Sequence, residues 1–428
     1  MVAAGVAGGT AAYLTYSWWI SERQSEDGSS NGDEGRSICD RKKPLVEKKE
    51  NGEESGEGSK GKMEGATTGG EDESGLLPGG LPLHDLATHG EIAQEDSNLH
   101  LERHFESIQD IAQSTTLPSL LVPLAESMKG VDGMETKLQK LADGKSGKVS
   151  LDVQDKKIIW KDIGKDAIGR AIASIWLLPL LHLQIRVQLT VLGRNLYLSS
   201  VMADSEDLSE AYVKKESKLI NFPRLSARSQ EAFLSLAEYL GNEGFEQIME
   251  GARLAADTVV SGLELTDTMH ELEWNTLLSK ALEYSDRWIR GKQFAELILP
   301  PPNTLRQALA LDHPNDSAVF HGAESSWIDA DCVEVMFHET EKIISSNFFA
   351  SVVYETASSI SRMMSESVAT QIPSNGCAFV TLIPLIAREA GRVLDADDKY
   401  CSSLPTLAGI TSLTRIIYSC GSNLDDLD

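Results

Sequence analysis

The sequence IASIWLLPLLHLQIRVQLTVL, residues Ile172–Leu192, decides the fold of this 428-residue chain. It lies inside a longer apolar segment, Ile158–Leu198, which hydropathy alone would assign to a membrane span. Four polar side chains occur between His182 and Gln188, and a charge in the middle of a bilayer is costly, so a span is disfavoured. Their alternation with apolar residues is typical of a strand, but the length of the segment favours a helix. We predict a central helix that is buried on most sides within a bundle.

Helical spacing continues on both sides of this segment. From Leu101 to Met128 apolar residues recur at three- and four-residue steps, which predicts a long amphipathic helix that Pro118 and Pro123 should bend or break. No segment of 20–50 residues repeats, so a solenoid is not supported. We therefore expect an all-α fold, an elongated multi-helix bundle around a long central helix, over residues 101–428. Other predicted helices are Met134–Leu141, Gln230–Leu240, Gly244–Leu263, Thr266–Trp288, Val333–Ser345, Ala350–Ala369, Cys377–Leu394 and Leu404–Ser419.

Residues 1–20 carry no charge and place their aromatic residues at one end. A membrane-spanning helix needs about 20 largely apolar residues, and Trp and Tyr prefer the membrane interface. We expect an N-terminal membrane anchor here. A cleaved signal peptide and a non-spanning tail are the alternatives. A signal peptide would begin with basic residues, and this segment has none.

Residues 21–100 are strongly acidic, with 19 Asp and Glu against 9 Lys and Arg, a net charge of −10 out of −26 for the whole chain. They are rich in Gly, Ser and Glu and contain no aromatic residue. Such a segment buries too little apolar surface to offset the entropy of ordering. It is therefore predicted to be a disordered acidic linker, with a disordered pro-segment as the weaker option.

Charge and cysteine content exclude some classes of protein. An acidic chain repels phosphate backbones, and the one dense basic run, Arg41–Lys43, is followed closely by acidic residues, so nucleic-acid binding is not expected. The five cysteines are scattered and form no Cys-x-x-Cys pair. This pattern favours a reduced domain that faces the cytosol.

The sequence contains no convincing catalytic, cofactor or metal motif. His338-Glu339 lacks the second histidine of a zinc-protease helix, and the acidic run Asp395–Asp398 lacks the glycine and glutamate of a calcium loop. Phosphate-binding glycine loops and nucleophile elbows are also missing. We expect no catalytic residues, no metal and no cofactor, and so a docking or scaffold protein rather than an enzyme.

Three blocks of sequence resemble the peroxin-3 family of peroxisomal membrane biogenesis factors. They are HFES at His104–Ser107, IWKDI at Ile159–Ile163, and LQIRVQL at Leu183–Leu189 with LG and YL following at 192–193 and 197–198. The order and spacing of the last two blocks match the family pattern. The close match covers about 100 residues from Leu101 to Ser200.

The resemblance implies a membrane-anchored helical domain that faces the cytosol at the peroxisomal membrane and docks peroxin-19, the soluble receptor for newly made peroxisomal membrane proteins. An apolar groove would take an amphipathic helix of peroxin-19. The groove residues carried over are Trp160, Lys156 and, approximately, Leu138 and Leu141. Trp160 would supply a rigid apolar face, and Lys156 would pair with acidic residues beside the incoming helix.

Two further residues of the matched blocks are assigned a structural role. A buried arginine must be paired, so we expect Arg186, with Gln188, to satisfy polar groups between helices. The chain departs from the family in its long acidic linker and in the lack of basic residues before the anchor. The alternative function is an unrelated helical scaffold, or an enzyme with an unrecognised active site. A polar pocket with clustered His and Asp or Glu would favour the enzyme.

Overall fold

The computed structural model describes residues 99–131, 133–206, 225–304 and 330–420. The predicted anchor at 1–20 and almost all of the linker at 21–100 lie outside these residues, and residues 99–100 already belong to the first helix. The described residues are helical apart from turns and one pair of two-residue strands, which confirms the all-α prediction.

The helices follow one another with short connections wherever the chain is described without a gap. Helix α1 covers residues 99–111 and passes through a π-helical turn, Ala112–Thr116, into α2. The remaining helices are α2 Leu117–Val131, α3 Met134–Lys145, α4 Val153–Glu206, α5 Ala227–Leu234, α6 Phe245–Val260, α7 Glu271–Arg290, α8 Phe294–Ile298, α9 Ala330–Ile344, α10 Asn347–Ala369, α11 Phe379–Val393, α12 Lys399–Ser403 and α13 Ala408–Cys420.

Helix α4 is the predicted central helix, and it is longer than the sequence pattern indicated. Its 54 residues extend over about 80 Å at 1.5 Å per residue. The segment Val153–Val201 is long and apolar enough to cross a membrane by composition, but its most apolar window is wholly buried inside the bundle. Helices α6 and α11 pack along α4, and α2, α3, α7, α9, α10 and α13 complete its surroundings. The most apolar part of α4 is therefore covered by protein.

Proline does not break the first long helix. A π turn, Ala112–Thr116, stands directly before Leu117, whose N–H donates to the carbonyl of Ala112. Pro118 has no N–H to continue the regular ladder, and the wider turn before it absorbs the irregularity. Pro123 lies inside α2. Of the expected bend or break, the chain shows no break: it stays helical through both prolines and changes its hydrogen-bond spacing before Pro118.

Two strands of two residues join the ends of distant helices. Strand β1, Thr268–Met269, pairs antiparallel with β2, Cys377–Ala378. Gly376 precedes β2 with φ +76°, a conformation that glycine adopts without strain. Helices α7 and α11 consequently begin later than their apolar patterns predicted, since their first expected residues form this pair. The pair fixes the start of α11 beside the segment that joins α6 to α7.

Candidate docking site

Helices α3 and α4 form a hairpin that contains all four predicted groove residues. Helix α3 follows Gly133, which has φ +60°, and a turn after Lys145 leads into α4. The ammonium of Lys137 contacts a carboxylate oxygen of Asp166 at 2.5 Å, which holds α3 against α4. The hairpin thus places α3 beside the N-terminal end of the central helix.

Trp160 lies near this end of α4 and is only half-buried. Its ring packs against the edge of the core. Gly164, one helical turn later on the same face, is so close to Phe379 and Ile383 of α11 that an added Cβ would lie 3.3 Å and 3.2 Å from their side chains. The ring of Trp160 therefore lies at the point where α11 begins to cover this face of α4.

Lys156 lies one turn before Trp160 on the same face and has no ion-pair partner among the described residues. Its neighbour Lys157 is different, because its ammonium is 2.6 Å from a carboxylate oxygen of Glu264. Hydrogen bonding and the charge of Lys157, together with Lys161, lower the pKa of the Glu264 carboxyl. Of the two adjacent lysines, Lys156 is the one that remains available to an acidic ligand.

The two predicted leucines lie three residues apart on α3 and differ in exposure. Leu141 is half-buried against the core, whereas Leu138 is 41% exposed. The structure brings the helices that carry Leu141 and Trp160 together, and it turns Leu138 to solvent. The predicted set therefore shares one end of the bundle, with Leu138 at its outer margin.

Two further exposed apolar side chains lie at this end and were not predicted. Val149 in the turn is 39% exposed, and Val153, at the first position of α4, is 85% exposed. Val153 precedes Trp160 by seven residues, so the two share a face of α4, and this spacing is the signal that would have found it. Ile158 is also 52% exposed, but it falls on the opposite side of α4 from Trp160.

Arg186 and Gln188 lie in the middle of α4 and hydrogen-bond to neighbouring elements, and Arg186 also bonds within α4. Arg186 donates from Nη1 to Gln109 at 2.6 Å and from Nη2 to Gln113 at 3.3 Å. Its Nε donates to Nε2 of His182 at 2.9 Å. Gln188 donates to the carbonyl of Phe233 at 3.1 Å. Burial lowers the pKa of Arg186 to about 10, against the opposing charge of Asp110.

The weak catalytic motifs have structural explanations. Glu339 accepts two hydrogen bonds from Nη2 of Arg194, at 2.5 Å and 2.6 Å, in a largely buried ion pair. His338 is on an exposed helix face beside Glu341. No group of three His, Cys, Asp or Glu residues within the described ranges is arranged to hold a metal.

Comparison with known protein families identifies the family of this chain. A family sequence model described as Peroxin-3 matches residues 40–420. The chain belongs to the peroxin-3 family. Membership supports a role in peroxisome biogenesis and an association with the peroxisomal membrane, and the family is not a known enzyme family.

Curated relatives of this peroxin-3 family member come from a plant and a yeast. Peroxisome biogenesis protein 3-2 of Arabidopsis thaliana is 24% identical over 67% of this chain and 74% of its own length. Peroxisome biogenesis protein 3-1 of the same plant is 27% identical, over 42% of this chain and 48% of its own length. Peroxisomal biogenesis factor 3 of Yarrowia lipolytica is 24% identical, over 64% of this chain and 71% of its own length.

Proposed function

We propose that this chain is a docking factor for peroxin-19 and thereby supports insertion of peroxisomal membrane proteins. The observation that carries the proposal is a half-buried aromatic ring, Trp160, at an end of the bundle that also exposes aliphatic side chains. Beside it lies Lys156, which has no ion-pair partner in the part of the chain that the structure describes. Apolar side chains at helical spacing are the usual anchors for an amphipathic helix. The N-terminal segment, residues 1–20, would hold the domain at the peroxisomal membrane with the helices facing the cytosol.

The chemistry of the site fits an amphipathic helix with acidic flanks. A large aromatic ring that is partly covered supplies apolar contact at little cost in conformational entropy. The ammonium of Lys156 stands one turn away and would pair with a carboxylate at the edge of that helix. Lys157 would contribute less, because it is already bound to Glu264.

Calorimetric titration of the full chain with an amphipathic peptide of peroxin-19 tests the proposal. Trp160→Ala should weaken binding by about 2 kcal/mol or more, as truncation of a central aromatic anchor does. Trp288→Ala is the matched control, since Trp288 is another half-buried tryptophan and packs against Gly251 of α6, far along the chain. Equal affinity of wild type and the Trp160 variant, with unchanged circular dichroism, would remove Trp160 from the site.

A further inference from the structure

The face of α4 that carries Trp160 is bordered by one lysine on each side. At about 100° of rotation per residue, Lys156 lies about 40° to one side of Trp160 and Lys157 about 60° to the other side. Helix α3 adjoins the Lys156 side, where the ammonium of Lys137 contacts Asp166 at 2.5 Å. We call these two borders the Lys156 edge and the Lys157 edge. A helix docked over Trp160 would therefore have a lysine beside each of its own flanks.

Of the two edges, the Lys157 edge already holds a carboxylate. Oxygen atoms of Glu264 lie 2.6 Å from the ammonium of Lys157 and 4.0 Å from that of Lys161. The ammonium of Lys161 also donates to the carbonyl of Ser261 at 3.3 Å, just after the end of α6. At the other edge, Lys156 has no ion-pair partner among the residues that the structure describes. Glu264 thus occupies the position at which a carboxylate of a docked helix would pair with Lys157.

The backbone around Glu264 is fixed independently of its side chain. The N–H of Glu264 donates to a carboxylate oxygen of Asp267 at 2.8 Å, and the N–H of Asp267 donates to the carbonyl of Glu264 at 3.1 Å. The carbonyl of the next residue, Leu265, accepts from the N–H of Val380 in the first turn of α11 at 3.0 Å. A substitution of the Glu264 side chain therefore leaves the hydrogen bonds of this turn in place.

The contact between Glu264 and the lysines is electrostatic and open to solvent. The side chains of Lys157 and Glu264 are 48% and 52% exposed. Hydrogen bonding to Lys157 and the charges of Lys157 and Lys161 lower the pKa of the Glu264 carboxyl, so it is ionised at neutral pH. An exposed pair of this kind adds little to stability, but its carboxylate repels a second anion beside it. Its effect is therefore expected in binding selectivity rather than in folding.

We propose that Glu264 is a specificity-determining residue of the docking site, which confines the acidic residues of a docked amphipathic helix to the Lys156 edge. This inference rests on the proposed function and adds to it the charge pattern of the ligand. A ligand carboxylate at the Lys156 edge finds an available ammonium, whereas one at the Lys157 edge must displace Glu264. The preferred ligand carries carboxylates along one flank of its apolar face and neutral or basic residues along the other.

Calorimetric titration of the full chain with versions of the amphipathic peptide of peroxin-19 tests this role. The peptides carry Glu or Gln at the positions that flank the apolar face, with Glu on neither flank, on either flank or on both. Wild type should gain affinity from Glu on one flank only. Glu264→Gln releases Lys157, so Glu on the second flank should then tighten binding by about threefold. This gain should shrink when the salt is raised from about 50 mM to about 500 mM.

Asp257→Asn is the matched control. It makes the same change in net charge and releases Lys165, whose ammonium contacts Asp257 at 2.5 Å. Lys165 lies about 140° from Trp160 around α4, so Glu on the second flank should give this variant no added affinity. Lys157→Gln combined with Glu264→Gln should abolish the threefold gain, because the released ammonium is then absent.

The outcomes separate this inference from the proposed function. If no peptide binds wild type, or if Trp160→Ala leaves binding unchanged, the proposed function is contradicted and this inference with it. If binding depends on Trp160 but the Glu264 and Asp257 variants respond alike, only the role of Glu264 is overturned. Equal gains by wild type from Glu on each flank would overturn that role as well.

Discussion

Buried polar side chains of α4 each bind a different neighbouring element. Gln184 donates to the carbonyl of Ile298 at 2.7 Å, at the end of α8. Arg194 pairs with Glu339 of α9 and donates to the carbonyl of Ile417 of α13 at 2.7 Å. An apolar helix covered on all sides has little to fix its rotation, whereas a buried polar group must meet its partner. These bonds therefore fix the rotation of α4 within the bundle.

Loss of the Arg186 side chain should be costly. Arg186→Met removes the donors that satisfy Gln109 and Gln113, and a buried group left unpaired costs about 1–3 kcal/mol. We expect the free energy of unfolding, measured in urea, to fall by about 2–4 kcal/mol. Arg287→Met removes an exposed pair with Glu283 and should change it by less than about 1 kcal/mol. Similar effects of the two substitutions would contradict the role given to Arg186.

His182 should make stability depend on pH in mildly acidic solution. Burial, and then the charge of Arg186, hold the pKa of His182 well below its usual value. The imidazole is neutral in the folded protein, while the unfolded chain binds a proton near pH 6.5. The unfolded state thus binds more protons, and the free energy of unfolding falls as the pH drops below about 6.5.

The size of this effect is measured by comparing wild type with a variant that lacks the imidazole of His182. Between pH 7 and 5.5, wild type should lose about 1 kcal/mol more than His182→Gln, since one proton is taken up on unfolding. Chemical denaturation at the two pH values provides the comparison. Parallel loss in both proteins would show that His182 is not the titrating group.

At the level of elements, α4 uses three lysines at four-residue spacing to hold one neighbour. Lys157 and Lys161 face Glu264, just beyond the end of α6, and Lys165 contacts Asp257 at 2.5 Å. These pairs, together with the Lys137 contact to Asp166, connect the N-terminal part of α4 to α3 and to the end of α6 and the segment after it. The part of α4 that carries Trp160 is thus held to its neighbours by ion pairs as well as by packing.

Two glycines of a second π turn, Leu240–Gly244, should respond oppositely to the same substitution. A Cβ on Gly244 would lie 2.0 Å from the carbonyl oxygen of Leu297, so Gly244→Ala must displace α8. Overpacking of this kind costs about 1–3 kcal/mol. Gly241 has open space around it and should tolerate alanine, with a gain of up to about 1 kcal/mol. Thermal unfolding of both variants checks this; equal melting temperatures would contradict the close contact.

On the scale of the whole molecule, the sequence predicted the class and the central helix, because Ile172–Leu192 is a long and largely apolar segment whose few polar residues disfavour a membrane span. It did not predict the pairing of Thr268–Met269 with Cys377–Ala378, since two-residue strands have no periodicity and depend on a distant partner. The ion pair of Lys157 with Glu264 was also not predictable, because it depends on a partner that is distant in the sequence.

The candidate site was predictable from the sequence only in part. Trp160 and Lys156 came from the resemblance of a short block, and helical spacing then places them on one face. The seven-residue spacing of Val153 from Trp160 indicates a shared face of α4. The exposure of Val149 and Val153 was not predictable, because an amphipathic pattern does not show whether another element covers its apolar side. The anchor and almost all of the acidic linker lie outside the described residues and remain predictions.

Amide hydrogen exchange of the full chain, with and without peroxin-19, tests the central claim most directly. Docking at the α3–α4 hairpin predicts slower exchange within Met134–Lys145 and the first turns of Val153–Glu206, where the amides of exposed helix ends open readily. The Trp160→Ala variant should lose that protection, and the Trp288→Ala variant should keep it. Protection confined to other helices, or unchanged protection in the Trp160 variant, would contradict the account.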